Sequence, residues 1–456
     1  MVMDFIETVK AAGVVGAGGA GFPTHIKLDS QVEYLIINAA ECEPLSEADK
    51  YLCRNEAEGI IHAIVKTAEH LGAQKKIIAL KGQYEAETEA LSAAVLTAGT
   101  DVEIVRMPTF YPAGDEQIMV HYVTGRVVPE RGLPLDVSTV VDNVGTMLNI
   151  HNALEGIPVM EKILSVTGEI KAPVILKVPV GTFVTDCIRE AAPLVQDYAV
   201  IVGGPMMGKI IDDPLAISRA VVTKTTGNII VLPRDHYLVR RSGLSLERIK
   251  HQSRSACIQC RMCTDLCPRY LLGHEIRPHL VMRNLWRESL IIDKDEYVRC
   301  FGDSLNCCDC GVCDLYSCPM GLSPRKVNDY FKQQISLKGY KKGRNLAPVV
   351  LKAIDHSRIP TERLAARIGI SSWYGQHADD SCIEFVPEKI FVPFQQHLGK
   401  PAIVQVAAGD KVEKGQLIAS AQQGTSANIH CGVCGIVREV TDDGVHIDLI
   451  KWGDRR

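Results

Sequence analysis

Aromatic residues are scarce, at 5% of 456 positions, so a stacking platform for nucleic-acid bases is not expected. An excess of one charge is also missing: 50 basic residues face 54 acidic ones, a formal net charge of −4. Nucleic-acid-binding domains are usually strongly basic, so no nucleic-acid partner is expected. No uninterrupted apolar run reaches the roughly 18 residues of a membrane span. The opening segment MVMDFIETVKAAG carries acidic residues and lacks the apolar stretch of a secretory signal. With 46% hydrophobic and 23% charged residues, the balance is that of a globular chain, which excludes global disorder and fibrous repeats.

Cysteine, in contrast, is plentiful. Of 16 cysteines, ten lie between Cys257 and Cys318. A disulfide scaffold is short and cysteine-dense throughout, whereas clustered cysteines in a long chain read as metal ligands. Cys257, Cys260, Cys263 and Cys267 form C-x2-C-x2-C-x3-C before Pro268. Cys307, Cys310, Cys313 and Cys318 repeat the run before Pro319, with one extra residue in the last gap. This is the ferredoxin spacing for cubane [4Fe–4S] clusters, in which the fourth cysteine serves the other cluster. Cys257, Cys260 and Cys263 are therefore expected to share one cluster with Cys318, and Cys307, Cys310 and Cys313 the other with Cys267. The extra residue requires a bulge before Pro319. Cys308 is an alternative to Cys307, and Cys300 is a nearby spare. Structural zinc is the competing reading, but zinc takes ligands in two pairs and has no use for a third cysteine in register.

The remaining texture divides the chain. Strand-like runs at 32–40, 75–82 and 102–108 alternate with helical ones at 56–72 and 84–98, which predicts a largely parallel α/β domain over 1–158. Val2, Phe5, Ile6 and Val9 share one helical face, suited to packing on that domain or to targeting a protein shell. Short β-rich pieces punctuated by Gly168, Pro173, Pro179 and Gly181 predict a β-grasp-like domain over 159–244. A two-cluster ferredoxin-like helical domain is expected over 245–337. A linker and helical segment comes next over 338–385, with its helix around 346–370, and then a small β-sandwich over 386–456. The fold class is thus multidomain α/β and α+β.

Two loops in the first domain point to a ligand. Five glycines occupy the nine positions from Gly13 to Gly21, followed by Phe22, Pro23 and Thr24. Successive amides in such a turn make an anion nest. The acidic loop Asn38-Ala-Ala-Glu41-Cys42-Glu43-Pro44 comes after a strand, where open α/β sheets bind ligands. Its carboxylates suit ribose hydroxyls or a nicotinamide amide rather than phosphate. No strong strand precedes the glycine loop, so the dinucleotide fingerprint is not met.

The set GAGGAGFPT, NAAECEP, TGEIKAPVILKVPVGT and two cysteine runs resembles a known group over nearly the whole chain. The first two motifs resemble the flavin-binding subunit of respiratory NADH dehydrogenases. The whole set is similar to the C subunit of the Rnf electron-transport complex, and most of all to the cobalamin reductases of propanediol-utilisation microcompartments. The resemblance implies FMN and two [4Fe–4S] clusters, with NADH as donor. It implies that Gly16, Gly18, Gly19, Gly21 and Phe22 hold the flavin, that Lys27 neutralises phosphate, and that Asn38, Glu41 and Glu43 border the isoalloxazine and nicotinamide. Residues 159–244 resemble the ligand-binding (SLBB-type) β-grasp domain. GGPMMG (203–208) is another family-like run, without a derivable role. The family's acceptor is a corrinoid, taken from cob(III)alamin to cob(II)alamin and cob(I)alamin. Its partners are a cobalamin adenosyltransferase and microcompartment shell proteins, its location is cytoplasmic, and no transmembrane segment is expected. The alternatives are an Rnf-like subunit feeding ferredoxin or quinone at a membrane, and a non-enzymatic electron carrier of the microcompartment.

There are departures. Respiratory subunits place an acidic residue where Ala40 stands and carry one cluster in place of two. The segment similar to the Rnf barrel-sandwich hybrid domain, PAIVQVAAGDKVEKGQLIA (401–419) with IHCGVCGIV (429–437), lies at the C-terminal end here. It lacks a Met-Lys-Met tip, so it is expected to be structural rather than a swinging arm. Its Cys431 and Cys434 are expected as small residues of a turn rather than a metal site. His25, His274 and His279 have no motif context and are expected to be structural.

Overall fold

Over residues 4–450, the part that the computed structural model describes, the β-rich runs assemble into four sheets. The first is parallel, in the order β3 (Glu103–Met107), β2 (Lys75–Lys81), β1 (Tyr34–Asn38), β4 (Thr139–Asn143). The chain steps outward from β1 to β3 and then returns to the other side of β1. The order therefore reverses between β1 and β4, and the carboxyl ends of these two strands are where an open α/β sheet places its ligand crevice. Helices Ala57–Leu71, Glu85–Ala98 and Val144–Leu154 bury one face against this sheet, around Leu35, Ile37, Ile60, Ile64, Leu91 and Met147. The opening helix Phe5–Ala11 packs Phe5, Ile6 and Val9 on the same core. Val2, the fourth member of that face, lies outside the described residues.

The second sheet is mixed: β10 (Cys382–Glu384), β6 (Val174–Pro179), β5 (Glu161–Gly168), β9 (Asn228–Pro233), β7 (Tyr198–Val202) and β8 (Lys209–Ile211). Leu164, Val166, Val178, Ile188 and Val231 fill its core under helix Val184–Glu190. Its edge strand β10 comes from the segment expected to link the C-terminal domain. That segment lies along the other domains. Asn345 exchanges hydrogen bonds with Glu130, Tyr111 N donates to Ile359 O (2.9 Å), and Trp373 Nε1 reaches Glu169 Oε2 (3.1 Å). The helix expected around 346–370 is shorter, with a 3-10 turn at Lys352–His356 and an α-helix at Thr361–Ile368. Pro348 and Pro360 account for this, because each removes an N–H and disfavours helix in the residue before it.

The cysteine region is helical, around a core of Met282, Leu285, Phe301, Val327 and Phe331. The C-terminal strands form two antiparallel sheets: β11 (Lys389–Pro393), β17 (Gly444–Leu449), β16 (Gly435–Val440) and β13 (Lys411–Val412), and then β12 (Ile403–Val404), β14 (Leu417–Ser420) and β15 (Ile429–His430). They face each other across Ile390, Val392, Ile418, Ile429, Val445 and Ile447. No helix among the described residues is long and apolar enough to cross a membrane.

Candidate functional site

The cysteines sort by cavity and not by run. One cavity is lined by Cys257, Cys260, Cys263 and, from the second run, Cys318. The other is lined by Cys307, Cys308, Cys310, Cys313 and, from the first run, Cys267. The two loops share one backbone course. Gln259 and Arg261 are left-handed (φ 58° and 67°) two and four residues after Cys257, and Asp309 and Gly311 (φ 61° and 78°) occupy the same places after Cys307. The extra residue before Pro319 is absorbed by a single π-turn over Val312–Tyr316, closed by Ser317 N donating to Val312 O (2.9 Å). A π-turn is how one residue is inserted into a helix without displacing the residues after it. Cys300 stands apart, buried in the helical core with Tyr297 and Phe301.

Burial first, and then the neighbouring thiols, push Cys263 up to about 12 and Cys307 up to about 11. Several thiols so placed ionise together only around a cationic centre, so the two sets of cavity-lining cysteines suit a metal cluster. The Cys307 and Cys318 sulfurs each accept a backbone N–H at 3.4 Å, from Asp309 and Leu322. His279, expected to be structural, lines the first cavity, and its Nδ1 lies 2.7 Å from Thr264 Oγ1. Cys260 is exposed, with Ile258 and Met320 beside it at 60% and 46% exposure.

The glycine-rich loop lies at the carboxyl end of β4. Gly16 N donates to Phe22 O (2.9 Å), which closes the loop on itself. Ala17 N donates to Thr146 Oγ1 (3.0 Å), and a Cβ on Gly18 would meet the Asn143 side chain at 3.3 Å. Asn143 caps helix Val144–Leu154, so the loop sits over the positive end of that helix. Gly18, Gly19 and Ala20 are exposed, and their amides take no partner among the described residues. Free amides over a helix N-terminus suit a phosphate, so the loop fits a flavin mononucleotide.

Lys27 is committed elsewhere. Its Nζ donates to Val141 O and lies 3.5 Å from Asp142 and 3.7 Å from Glu116. Burial opposes its charge, but the two carboxylates outweigh this and raise its pKa. Asn38 bridges Gly114 O (2.9 Å) and Ala40 N (3.0 Å), which ties the acidic loop to the segment after β3. Glu41 folds into its own loop, accepting from Glu43 N (2.9 Å) and Ser46 Oγ (3.0 Å). Glu43 packs under the 203–208 turn, where a Cβ on Gly204 would meet its side chain at 2.3 Å. Its Oε2 accepts from Met206 N (2.9 Å), and its Oε1 is buried with no hydrogen-bond partner among the described residues. Burial pushes its carboxyl up to about 8, against the pull of the Met206 amide. This is the structural role of GGPMMG: its turn covers Glu43, and Met206 O then accepts from Arg325 (2.6 Å), which is paired with Asp309 of the second cysteine loop.

Further contacts join the crevice to that cysteine cavity. Tyr111 OH donates to Cys310 O (2.7 Å), and Arg269, two residues past Cys267, grips Asp115 with both nitrogens (2.6 and 2.9 Å). Tyr111, Asp115, Glu116 and Asn143 were not legible in the sequence. They stand outside the two conspicuous loops, and only the strand order brings them to the same edge.

Comparison with known proteins agrees with this layout. Residues 9–152 match the Nuo51 FMN-binding domain, 256–323 a 4Fe-4S dicluster domain, and 376–447 the RnfC barrel sandwich hybrid domain. Fold and site define a flavin and iron–sulfur electron-transfer oxidoreductase. The cobalamin reductase PduS of Citrobacter freundii is 38% identical, covering 97% of this chain and 95% of its own. That of Salmonella typhimurium is 37% identical with the same coverage. The C subunit of the proton-translocating ferredoxin:NAD(+) oxidoreductase complex of Clostridium ljungdahlii is 32% identical over 65% of this chain and 61% of its own. The chain belongs to the PduS cobalamin reductase family.

Proposed function

We propose that the protein is an NADH-dependent cobalamin reductase. Electrons from NADH pass by way of FMN and two [4Fe–4S] clusters to a corrinoid, which a cobalamin adenosyltransferase then consumes within a cytoplasmic microcompartment. A bound FMN supplies the exchange between a two-electron hydride donor and one-electron carriers. The chain's own residues set the stage for this. Gly18, Gly19 and Ala20 offer amides to the phosphate, with Asn143 and Thr146 holding the loop in place. Asn38 and Glu41 fix the shape of the acidic loop beside it. Lys27 keeps the carboxylates of Asp142 and Glu116 neutralised at the crevice floor rather than reaching for phosphate.

The ligands are Cys257, Cys260, Cys263 and Cys318 for one cluster, and Cys307, Cys310, Cys313 and Cys267 for the other. The matched left-handed residues favour Cys307 over Cys308, because they align Cys307 with Cys257. The observation that carries the reading is the hydrogen bond from Tyr111, at the crevice edge, to the Cys310 carbonyl. It supports a path in which the second cysteine cavity lies on the crevice side and the first, with exposed Cys260, on the solvent side. Relatives named cobalamin reductase across 95% of their length support the acceptor. The test is anaerobic: reconstituted protein, NADH, cob(III)alamin and an adenosyltransferase. Flavin bleaching with adenosylcobalamin formation is expected, and bleaching without corrinoid reduction would reject the acceptor.

A further inference from the structure

Lys224 is 1% exposed and has no carboxylate partner among the described residues. Its Nζ donates to two carbonyls, Gly13 O and Asn428 O, each at 2.6 Å. The first opens the glycine-rich loop, and the second belongs to the C-terminal hybrid domain. Its own backbone N donates to Gln396 Oε1 of the same domain (3.1 Å). A long amine is expensive to bury, and here it is spent on backbone carbonyls of two distant segments.

The contact is repeated around the loop. Asn428 Nδ2 donates to Ala11 O (3.2 Å), just before Gly13. Leu398 N donates to Gly21 O (2.9 Å) at the loop's far end. Gly13 and Gly21 have φ of +68° and +67°, which side chains rarely adopt. A Cβ on Gly13 would lie 2.3 Å from Asn428 O and 2.8 Å from Lys224 Nζ. A Cβ on Gly21 would lie 2.9 Å from Thr225 and 3.3 Å from His397. The same pair of segments, 224–225 and 396–428, therefore grips the loop where it begins and where it ends. Gly18 and Gly19 are left exposed between them.

We propose that Lys224 is a positioning residue for the flavin site: it fastens the glycine-rich loop to the C-terminal hybrid domain, and that domain serves to hold the loop in its phosphate-binding shape. This rests on reading the loop as the FMN site. It gives the hybrid domain a function without a swinging arm, since the domain is a brace on the flavin loop.

The test uses the full chain with its clusters reconstituted, as wild type, Lys224→Met and Asn428→Ala. Three quantities are read: FMN affinity by fluorescence quenching, bound iron, and amide hydrogen exchange of residues 14–22. Lys224→Met is expected to weaken FMN binding about tenfold or more, as the loss of one or two buried hydrogen bonds implies. Exchange across the loop is expected to quicken while iron content holds. Asn428→Ala, which leaves Lys224 in place, is expected to move the same two readouts by less, and it stands in if Lys224→Met does not fold. FMN affinity within twofold of wild type together with unchanged loop exchange would overturn the proposal. Loss of iron and flavin together with no local change in exchange would also overturn it, by showing a merely structural lysine. If wild type binds no FMN, the reading of the loop fails, and the exchange rates still decide whether Lys224 fixes its shape.

Discussion

Glu43 is held towards its protonated form because burial withdraws it from water and Glu41 lies nearby, which outweighs the pull of the Met206 and Met207 amides and of Arg325. Its carboxyl, pushed from 4.5 to about 8, stays neutral in the fold over a window in which the unfolded chain ionises. The folded state then binds the extra proton, so stability is full below about 4.5 and falls as pH rises towards about 8. Glu43→Gln removes that fall. The difference in melting temperature between variant and wild type should grow in the variant's favour from pH 5 to pH 8, and a constant difference would show that Glu43 is ionised. Asp49, which titrates in the same range, is present in both proteins and cancels. The second residue-scale expectation separates neighbouring thiols. Cys307→Ser should cost one cluster, about four iron atoms per chain, whereas Cys308→Ser should keep the full complement. Iron analysis with electron paramagnetic resonance decides between them. Equal losses would mean that both sulfurs are needed.

At the scale of elements, the π-turn over Val312–Tyr316 shows what one inserted residue does. It holds Cys318 at the same cavity that the shorter spacing of the first run would serve, and Arg241 keeps it there. That guanidinium, 8% exposed, pairs with Asp314 inside the turn and donates to Gly321 O (2.7 Å) and Leu322 O (2.6 Å) beyond it. Arg241→Met would leave Asp314, itself 6% exposed, without its partner. The expected cost is about 3–5 kcal/mol, read as a lowered melting temperature and loss of the cluster that Cys318 serves. A melting temperature unchanged from wild type would contradict it. Much at this scale was legible. The alternation of strand and helix to 158, the bulge before Pro319 and the β-rich C-terminal part all come from local spacing and composition. The helix expected around 346–370 was not, because Pro348 and Pro360 interrupt it in the chain. The strand Cys382–Glu384 was not legible either, since three residues carry no period and their partner, β6, lies some 200 residues earlier in sequence.

At the scale of the molecule, the cysteine spacing announced its cavities, while the crevice announced only two of its walls. Lys27 and Glu43 lie near the expected site but serve its frame, one among carboxylates and the other under the 203–208 turn. No pattern in a single sequence says that residues 111–116 and 143 meet them, since that comes from the order of the parallel strands. The joint between crevice and cysteine region is polar and specific: Asp115 with Arg269, Tyr111 with Cys310, and Glu43 through Met206 and Arg325 to Asp309. Breaking it should uncouple the two halves without emptying either. Arg269→Gln leaves Asp115 largely buried and unpaired, and should slow electron delivery from flavin to acceptor while flavin and iron content hold. An unchanged rate would show that the joint plays no part in the transfer.

The measurement that bears most directly on the whole account is an anaerobic NADH titration of the reconstituted wild-type chain and of Cys260→Ser, tracking flavin, clusters and corrinoid together. NADH is expected to bleach the flavin in both proteins, and only the wild type to go on to reduce the corrinoid. Corrinoid reduction at the wild-type rate in Cys260→Ser, or no bleaching by NADH in either protein, would contradict it.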